Sequence, residues 1–248
     1  SILLRFIYVI AGNLYRAWMI PKMGYYSRHP EKYSEQFRYE YDRYAINLMK
    51  KTGRITTEGF GMENLPKEGG YVMFSNHQGK YDALGIMHTH DKPCSVVMDD
   101  ARSHGPLVKQ FIDLVEGKRL KIDNLKQAAG IIKEVTREVK EGRKFIIFPS
   151  GGYEHRNGNY VDEFKPGAFK SAMKAKAPIV PVAIVDSWKV FDLWSLRKVK
   201  TEVFYLKPML YDEYKDKKSV EISSIIHKRI CAAVELAQNG DFLGAVLQ

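Results

Sequence analysis

His77 and Asp82 are the two residues whose types and spacing best fit acid–base chemistry in this chain. They flank a loop between the apolar run 71–75, which predicts a buried strand, and a run from residue 82 that predicts a helix. On one regular helix their side chains would point about 140° apart, so they can meet only if His77 lies in the loop and Asp82 on the first helical turn. Gly79 allows that loop to bend.

A histidine and a carboxylate at such a junction fit the roles of a general base and the group that orients it. Neutral imidazole can take a proton from a hydroxyl, while a carboxylate on the other ring nitrogen fixes the tautomer and stabilises the imidazolium. No Ser, Cys or Thr nucleophile is needed if the substrate carries the hydroxyl. Since many His/Asp pairs share this spacing by chance, the interpretation depends on the rest of the chain.

The elements that must position this pair alternate from residue 54 onward. Strand-like runs are predicted at 54–59, 71–75, 94–98, 118–122, 144–148, 179–185 and 201–206. Helices are predicted at 82–88, 106–114, 125–141, 166–176 and 219–239. This alternation predicts an α/β fold with a largely parallel mixed sheet flanked by helices, in which ligands gather beyond the carboxyl ends of the strands.

Residues 2–20 predict an apolar first helix whose polar residues, Arg5, Gly12, Asn13 and Arg16, fall within one sector of roughly 80°. The arginines leave no uncharged stretch of the roughly 18 residues that span a bilayer, and no Ala-x-Ala cleavage site suggests a signal peptide. The pattern is typical of a helix in a membrane interface, or of one buried against a partner helix. Pro21 is expected to end it.

A second helix, with an aromatic stripe, is predicted from about residue 30 to residue 51, with the turn of a hairpin at 23–26. Residues 1–53 are therefore expected to form a membrane-associating two-helix hairpin, and residues 54–248 the α/β domain. Excess positive charge beside a broad apolar face suits peripheral binding to anionic lipid. A soluble helical cap is the alternative.

The net charge of +10 and the isoelectric point near 9.4 favour an anionic partner: nucleic acid, an anionic lipid surface, acyl-CoA or an acidic acyl carrier protein. Cys94 and Cys231 form no metal or redox motif, so a reducing compartment and structural thiols are expected. His88 and His90 have no further residues at ligand spacing, and we expect surface histidines and no metal site.

Three further motifs follow predicted strands or begin predicted elements. In 116–123, alternation places Arg119 and Lys121 on one face, where they could bind a phosphate together, the alternative being a solvated basic edge strand. In 148–153, Gly151 and Gly152 allow a tight turn with close approach to a ligand, and His155 and Arg156, a few residues further on, are possible anion contacts. The run 177–183, preceded by 164–169, predicts a scaffold strand and helix.

These motifs resemble, in order, the four blocks of the glycerolipid acyltransferases. Asn76-His77 and Asp82 match block one, and 177–183 match the apolar block four. Block two departs where Asn124 stands in place of the closing Arg. Block three, Phe-Pro-Glu-Gly-Gly-Tyr in some members, departs where Ser150 stands in place of Glu.

The resemblance implies an O-acyltransferase that makes phosphatidic acid from lysophosphatidic acid with an acyl-CoA or acyl carrier protein donor. His77 would deprotonate the acceptor hydroxyl while Asp82 holds the imidazole, and amides near Gly151 and Gly152 would hold the oxyanion. Substrate binding is implied for Arg119, Lys121, Ser150, Gly151, Gly152 and Arg156. No metal or prosthetic group is implied, and the protein would be peripheral on the cytoplasmic face of the cell membrane.

Three alternatives remain open. A serine hydrolase could use Ser150, although Phe148 replaces the first Gly of the Gly-x-Ser-x-Gly elbow. A nucleic-acid-binding module would suit the charge but has no recognition motif, and the apolar first helix argues against it. A weakly active or inactive membrane-binding relative, or an acyltransferase for another lysolipid, would account for Ser150 in place of the family's Glu.

Overall fold

A computed structural model describes residues 4–153 and 158–248 and places seven strands of this part of the chain in one sheet. The strands are β1 (Ile55–Phe60), β2 (Tyr71–Ser75), β3 (Ser95–Asp99), β4 (Lys118–Leu120), β5 (Lys144–Ile147), β6 (Ile179–Val185) and β7 (Val199–Tyr205). Their spatial order is β1-β7-β6-β2-β5-β3-β4, and neighbours are parallel except for β6 and β7. The predicted α/β fold with a mostly parallel sheet is confirmed.

The two central strands, β2 and β6, are buried along their whole length, as expected for strands covered on both faces. Phe74 of β2 lies opposite Pro181 of β6 and Ile147 of β5. The carboxyl ends of three neighbouring parallel strands therefore meet at one edge, where residues 76–79 leave β2.

Ten helices among the described residues cover the faces of the sheet. They are α1 (Leu4–Gly12), α2 (Met19–Arg28), α3 (Glu35–Gly53), α4 (Asp82–Thr89), α5 (Val108–Leu114), α6 (Leu125–Lys140), α7 (Lys170–Ala175), α8 (Tyr211–Tyr214), α9 (Ser219–Gln238) and α10 (Phe242–Val246). One buried cluster includes Ile46, Ile86 and Ile112 from α3, α4 and α5. The other includes Val135 from α6 and Ile226 from α9.

The N-terminal segment departs from the predicted hairpin. Pro21 does not end a helix but lies in the first turn of α2, where the amide that proline lacks would have no partner in any case. The predicted turn at 23–26 therefore lies inside α2. The second long helix begins at Glu35 rather than Pro30, because Ser34 caps it: its hydroxyl accepts from the Phe37 amide at 3.1 Å.

The polar sector of α1 faces the protein. Arg5 is fully buried and donates to the carbonyls of Gly53, Val190 (2.9 Å), Ser195 (3.0 Å) and Arg197 (2.8 Å). Such a buried cation is tolerated because all of these carbonyls accept from it. Asn13 likewise binds Thr52 of α3 at 3.0 Å.

The side chains that this orientation leaves exposed around α1 and the turn after it are apolar or aromatic: Ile7, Tyr8, Leu14, Tyr15, Trp18 and Ile20. Within the described residues, every helix is too short or too polar to cross a bilayer.

Candidate active site

His77 and Asp82 meet as the sequence predicts. His77 lies in the loop after β2, Asp82 is the first residue of α4, and the His77 Nδ1 atom is 2.5 Å from Asp82 Oδ2. The Asp82 carboxylate is buried, whereas the His77 side chain keeps 16% of its surface exposed. The imidazole can therefore meet a substrate while the carboxylate behind it is shielded from water.

The position of Asp82 is fixed by several donors. The backbone amides of Gln78 and Gly79 donate to Oδ2, the latter at 2.9 Å, and the Ser187 hydroxyl donates to Oδ1 at 2.6 Å. The carboxylate also lies at the positive end of the α4 dipole. These contacts compensate a buried negative charge and hold it in one orientation toward His77.

Two aromatic rings enclose His77. Phe148, directly after β5, stacks on the imidazole with ring centres 4.2 Å apart, and Tyr153 meets it edge-on at 4.8 Å. Among the described residues, Nε2 has no hydrogen-bond partner. The ring is thus held in place with one nitrogen bound by Asp82 and the other free to accept a proton from a substrate hydroxyl.

A polar network behind the loop joins it to β6. The Asn76 side-chain amide donates to the Ile184 carbonyl at 3.0 Å and accepts from the Ile184 backbone amide at 2.9 Å. Gln78 accepts from the Ser187 amide at 3.0 Å and donates to Asn159 at 2.7 Å. The loop that carries His77, called the base loop below, is therefore hydrogen-bonded to the end of the neighbouring strand β6.

The block-three segment forms a tight turn. Ser150 Oγ donates to the Gly152 carbonyl at 2.6 Å, and the Gly151 amide donates to the Phe148 carbonyl at 3.0 Å with Gly151 at φ +75°. The Gly151 amide is thus already used, which leaves the Gly152 amide as the candidate for an oxyanion. The Ser150 hydroxyl is turned toward Gly152, an arrangement that does not support the serine-hydrolase alternative.

Two cations flank this turn. Lys165 Nζ lies 3.0 Å from the position that a Cβ on Gly151 would occupy, and Arg102 Nη1 lies 3.8 Å from the corresponding position on Gly152. The Arg102 guanidinium also stands 5.4 Å from the centre of the Tyr153 ring. The glycines therefore leave space beside two positive charges, a few ångströms from the ring that packs on His77.

Comparison with known proteins identifies the family of this chain. A family model described as Acyltransferase matches residues 57–185, just over half of the chain. The chain belongs to the acyltransferase family. The family predicted from the four blocks is confirmed, and the match spans all of them.

Related acyltransferases match part of this chain at moderate identity. The 1-acyl-sn-glycerol-3-phosphate acyltransferase of Saccharomyces cerevisiae is 27% identical over 146 residues, which cover 58% of this chain and 48% of the relative. A putative 1-acyl-sn-glycerol-3-phosphate acyltransferase of Caenorhabditis elegans is 31% identical over 140 residues, 55% of this chain and 48% of the relative. The chain spans about half the length of these two curated relatives.

A solved structure extends the likeness of fold to the whole chain. The crystal structure of the 1-acyl-sn-glycerophosphate (LPA) acyltransferase PlsC from Thermotoga maritima superimposes with a TM-score of 0.75 and 20% sequence identity, covering 95% of each chain. At this identity the likeness concerns the fold, including the N-terminal helices outside the matched acyltransferase segment.

The block-two residues of this acyltransferase lie at the edge of the sheet. Strand β4 ends at Leu120, so Lys121 lies beyond the strand and not inside it as the alternation predicted. Arg119 pairs with Asp113 at 2.8 Å and donates to the Ser103 hydroxyl at 3.0 Å, whereas Lys121 is exposed. A joint phosphate-binding role for these two residues stays a prediction.

His155 and Arg156, which follow block three, lie outside the described residues, and the anion-binding role of Arg156 stays a prediction.

The sequence reasoning missed three contributors, Arg102, Asn159 and Ser187. Arg102 follows the end of β3 and Ser187 follows the end of β6, so the rule that ligands gather at strand ends was the signal that could have found both.

Neither of the two histidines predicted at the surface is exposed, since His88 is half-buried and His90 is buried. His90 is fully buried between the Tyr71 hydroxyl and the Lys92 carbonyl, both at 2.6 Å. Burial lowers the pKa of His90, and that of His88 beside Lys50, to about 4. These side chains are neutral packing residues. Within the described ranges, no three His, Cys, Asp or Glu side chains cluster as metal ligands would.

Proposed function

We propose that this acyltransferase moves a fatty acyl group from an acyl thioester to the free hydroxyl of lysophosphatidic acid, giving phosphatidic acid for phospholipid biosynthesis. The observation that carries the proposal is the oriented pair of His77 and Asp82, with Nε2 of His77 free of hydrogen-bond partners among the residues that the structure describes. The relatives described above, named as acyltransferases for 1-acyl-sn-glycerol-3-phosphate, support the choice of acceptor.

The proposed reaction balances without a protein nucleophile. His77 Nε2 accepts the proton of the acceptor hydroxyl while Asp82 stabilises the imidazolium. The acceptor oxygen attacks the thioester carbonyl, and the Gly152 amide is the donor proposed for the resulting oxyanion. The carbon–sulfur bond then breaks, an ester remains on the acceptor, and the imidazolium returns the proton to the leaving thiolate.

The acceptor phosphate is proposed to lie beside the glycine turn. Lys165 and Arg102 border the space above Gly151 and Gly152, where two cations suit a phosphate monoester. Arg119, Lys121 and Arg156 remain the block-two and block-three candidates for the same group. Ser150 shapes the turn through its bond to the Gly152 carbonyl. The reaction as written uses no metal or prosthetic group.

We further propose that the protein binds peripherally to the anionic cytoplasmic surface of the cell membrane. Leu14, Tyr15 and Trp18 are exposed on the apolar side of the N-terminal segment. Apolar and aromatic side chains beside excess positive charge suit an amphipathic segment that lies in the lipid interface. A lysolipid acceptor would then be present at the same surface.

A second candidate function follows from Ser150. Because this residue stands where related block-three motifs carry Glu, the protein would be a weakly active membrane-binding relative, or an acyltransferase for a different lysolipid.

The deciding experiment measures acyl transfer from a long-chain acyl thioester, on CoA or acyl carrier protein, to lysophosphatidic acid in vesicles. Wild type should form phosphatidic acid, and His77→Ala should lose at least about a hundredfold in rate with an unchanged melting curve. His29→Ala, which removes a histidine from the turn before α3, is the matched control. A His77→Ala variant that keeps more than roughly a tenth of the rate would refute the base assignment.

A further inference from the structure

The segment between β6 and β7 lines a cavity at the same edge of the sheet as His77. The cavity is a half-open cleft of about 690 Å³, within the range of roughly 300–1,000 Å³ found for small-molecule and cofactor sites. Its wall combines an exposed tryptophan with four basic residues: Lys189, Trp194, Arg197, Lys198 and Lys200. Cations bind phosphate groups and an indole stacks on a nucleobase, so the composition is that of a nucleotide site.

Half of this positive charge is uncompensated. Lys189 pairs with Asp186 at 3.0 Å, and Lys200 pairs with Glu58 at 3.1 Å. Among the described residues, no ion pair involves Arg197 or Lys198, and both side chains are exposed. Asp186, the carboxylate in the wall, is bound by Lys189 and also accepts from Asn159 at 2.9 Å, so its charge is shared among donors.

The ring of Trp194 has no evident packing function. It keeps 66% of its surface exposed, in a segment whose neighbours Val190 and Phe191 are buried. An aromatic side chain held at the rim of a basic cavity, and not in the core, offers its face to a planar ligand.

The cavity is built on the residues that hold the catalytic base. Asp186 in its wall precedes Ser187, whose hydroxyl binds Asp82. Asp192 Oδ2 and Trp188 Cα lie 3.2 and 3.7 Å from the position that a Cβ on Gly79 would occupy, so the segment packs directly on the base loop. A ligand in the cavity is therefore next to the reaction site.

We propose that this cavity binds the 3′-phosphoadenosine diphosphate part of a coenzyme A thioester, with Trp194 stacked on the adenine and Arg197 and Lys198 on the phosphates. The inference rests on the proposed acyl transfer and assigns CoA as the donor carrier. An acyl carrier protein presents the same pantetheine arm without a nucleotide, so its acidic surface would pair with the basic residues but would offer no nucleobase to stack on Trp194.

The test titrates free CoA, and separately pantetheine, into the full chain by calorimetry without any acceptor. Lys198→Glu should weaken CoA binding about tenfold or more, because it replaces a charge-assisted contact with a repulsive one. Trp194→Leu should weaken CoA binding as well, and neither variant should change binding of pantetheine. Lys217→Glu is the control, since Lys217 lines a smaller basic cavity outside this segment.

The outcomes separate this inference from the proposed function. Equal CoA affinity in wild type and Lys198→Glu overturns the nucleotide site. Reduced binding of Lys198→Glu to phosphatidylglycerol vesicles with unchanged CoA affinity also overturns it and assigns the cations to lipid headgroups. Acyl transfer from acyl carrier protein without CoA binding keeps the proposed function and overturns the inference. CoA binding that Lys198→Glu weakens, without acylation of lysophosphatidic acid, supports the cavity and refutes the acceptor.

Discussion

The Ser187 hydroxyl lies 2.6 Å from Oδ1 of Asp82, the carboxylate oxygen that His77 does not use. The contact joins the second residue after β6 to the first turn of α4 across 105 positions of sequence. A carboxylate bound on both oxygens has little freedom to rotate, so the imidazole it orients is fixed as well. Ser187 is in this sense a positioning residue for the proposed base.

Replacing Ser187 with alanine should lower kcat about tenfold, since hydrogen bonds to charged groups contribute roughly 1.5–3 kcal/mol. KM for donor and acceptor should change little, because Ser187 is not proposed to touch either substrate. Steady-state kinetics check this. Ser171→Ala is the control, since Ser171 is another buried serine, whose hydroxyl has no partner among the described residues. An equal loss in both variants would show a general effect on folding and contradict the positioning role.

Replacing Ser150 with glutamate should raise turnover, because it restores the acidic residue that related block-three motifs carry at this position. Ser150→Ala separates the two effects of the change, since it removes the bond to the Gly152 carbonyl without adding a charge. Initial rates of all three proteins with the same donor and acceptor give the result. Lower turnover in Ser150→Glu than in Ser150→Ala would mean that the site has adapted to serine.

Placing aspartate at both Leu14 and Trp18 should reduce binding to anionic vesicles about tenfold or more, because burying each side chain in the interface contributes on the order of 1.5–3 kcal/mol. Vesicle sedimentation measures the change. Leu243→Asp alters an equally exposed leucine on α10 and should bind as wild type does. Point variants are preferable to truncation at Gly53, since Tyr39 and Ile46 of α3 belong to the main core. Unchanged sedimentation of the double variant would refute the proposed membrane surface.

Glu202 should make the protein less stable as the pH rises. Burial and, next, the nearby Asp186 raise the pKa of Glu202 from 4.5 to about 7, against the opposing charge of Lys200. Between these values the unfolded chain loses the proton while the folded protein retains it, so stability falls as pH increases from about 4.5 to 7. After allowance for its partial exposure, the penalty above pH 7 is about 1–2 kcal/mol.

Glu202→Gln should therefore raise the melting temperature at pH 8 and leave it nearly unchanged at pH 4.5. Thermal unfolding at the two pH values measures the difference, with Glu68→Gln at an exposed position as control. A gain of the same size at both pH values would contradict the titration of Glu202.

The regular part of the fold could be predicted from sequence because its signals are local. β2 and β6 occupy the predicted residues, since continuous apolar runs bounded by turn residues identify buried strands. The pairing of His77 with Asp82 was also accessible, because both residues lie on one short loop and helix start. The contact of Ser187 with Asp82 was not, since nothing in the neighbourhood of either residue indicates which distant strand lies beside it.

The remaining errors have the same origin. The polar sector of α1 did not indicate that Arg5 would be fully buried, because its four carbonyl acceptors lie in two distant segments, at Gly53 and at 190–197, that only the tertiary structure brings together. His90 looked like a surface residue because its partner, the Tyr71 hydroxyl, lies on another element. Long-range hydrogen bonds determine the orientation of both side chains, and the periodicity of apolar residues in the sequence does not predict such bonds.

The buried guanidinium of Arg5 also fixes where the apolar N-terminal segment lies relative to His77, and so from which side a lipid would approach. It fastens α1 to the carbonyls of Ser195 and Arg197 in the wall of the basic cavity, while Phe6 contacts Phe191 and Phe191 contacts Tyr81, the neighbour of Asp82. The apolar exterior of the N-terminal segment and the loop that carries His77 are therefore connected through residues that pack directly on one another. If that exterior lies on a bilayer, a single-chain lipid would move along the surface between the N-terminal segment and His77. Its tail would still lie partly in the membrane when its glycerol reaches His77.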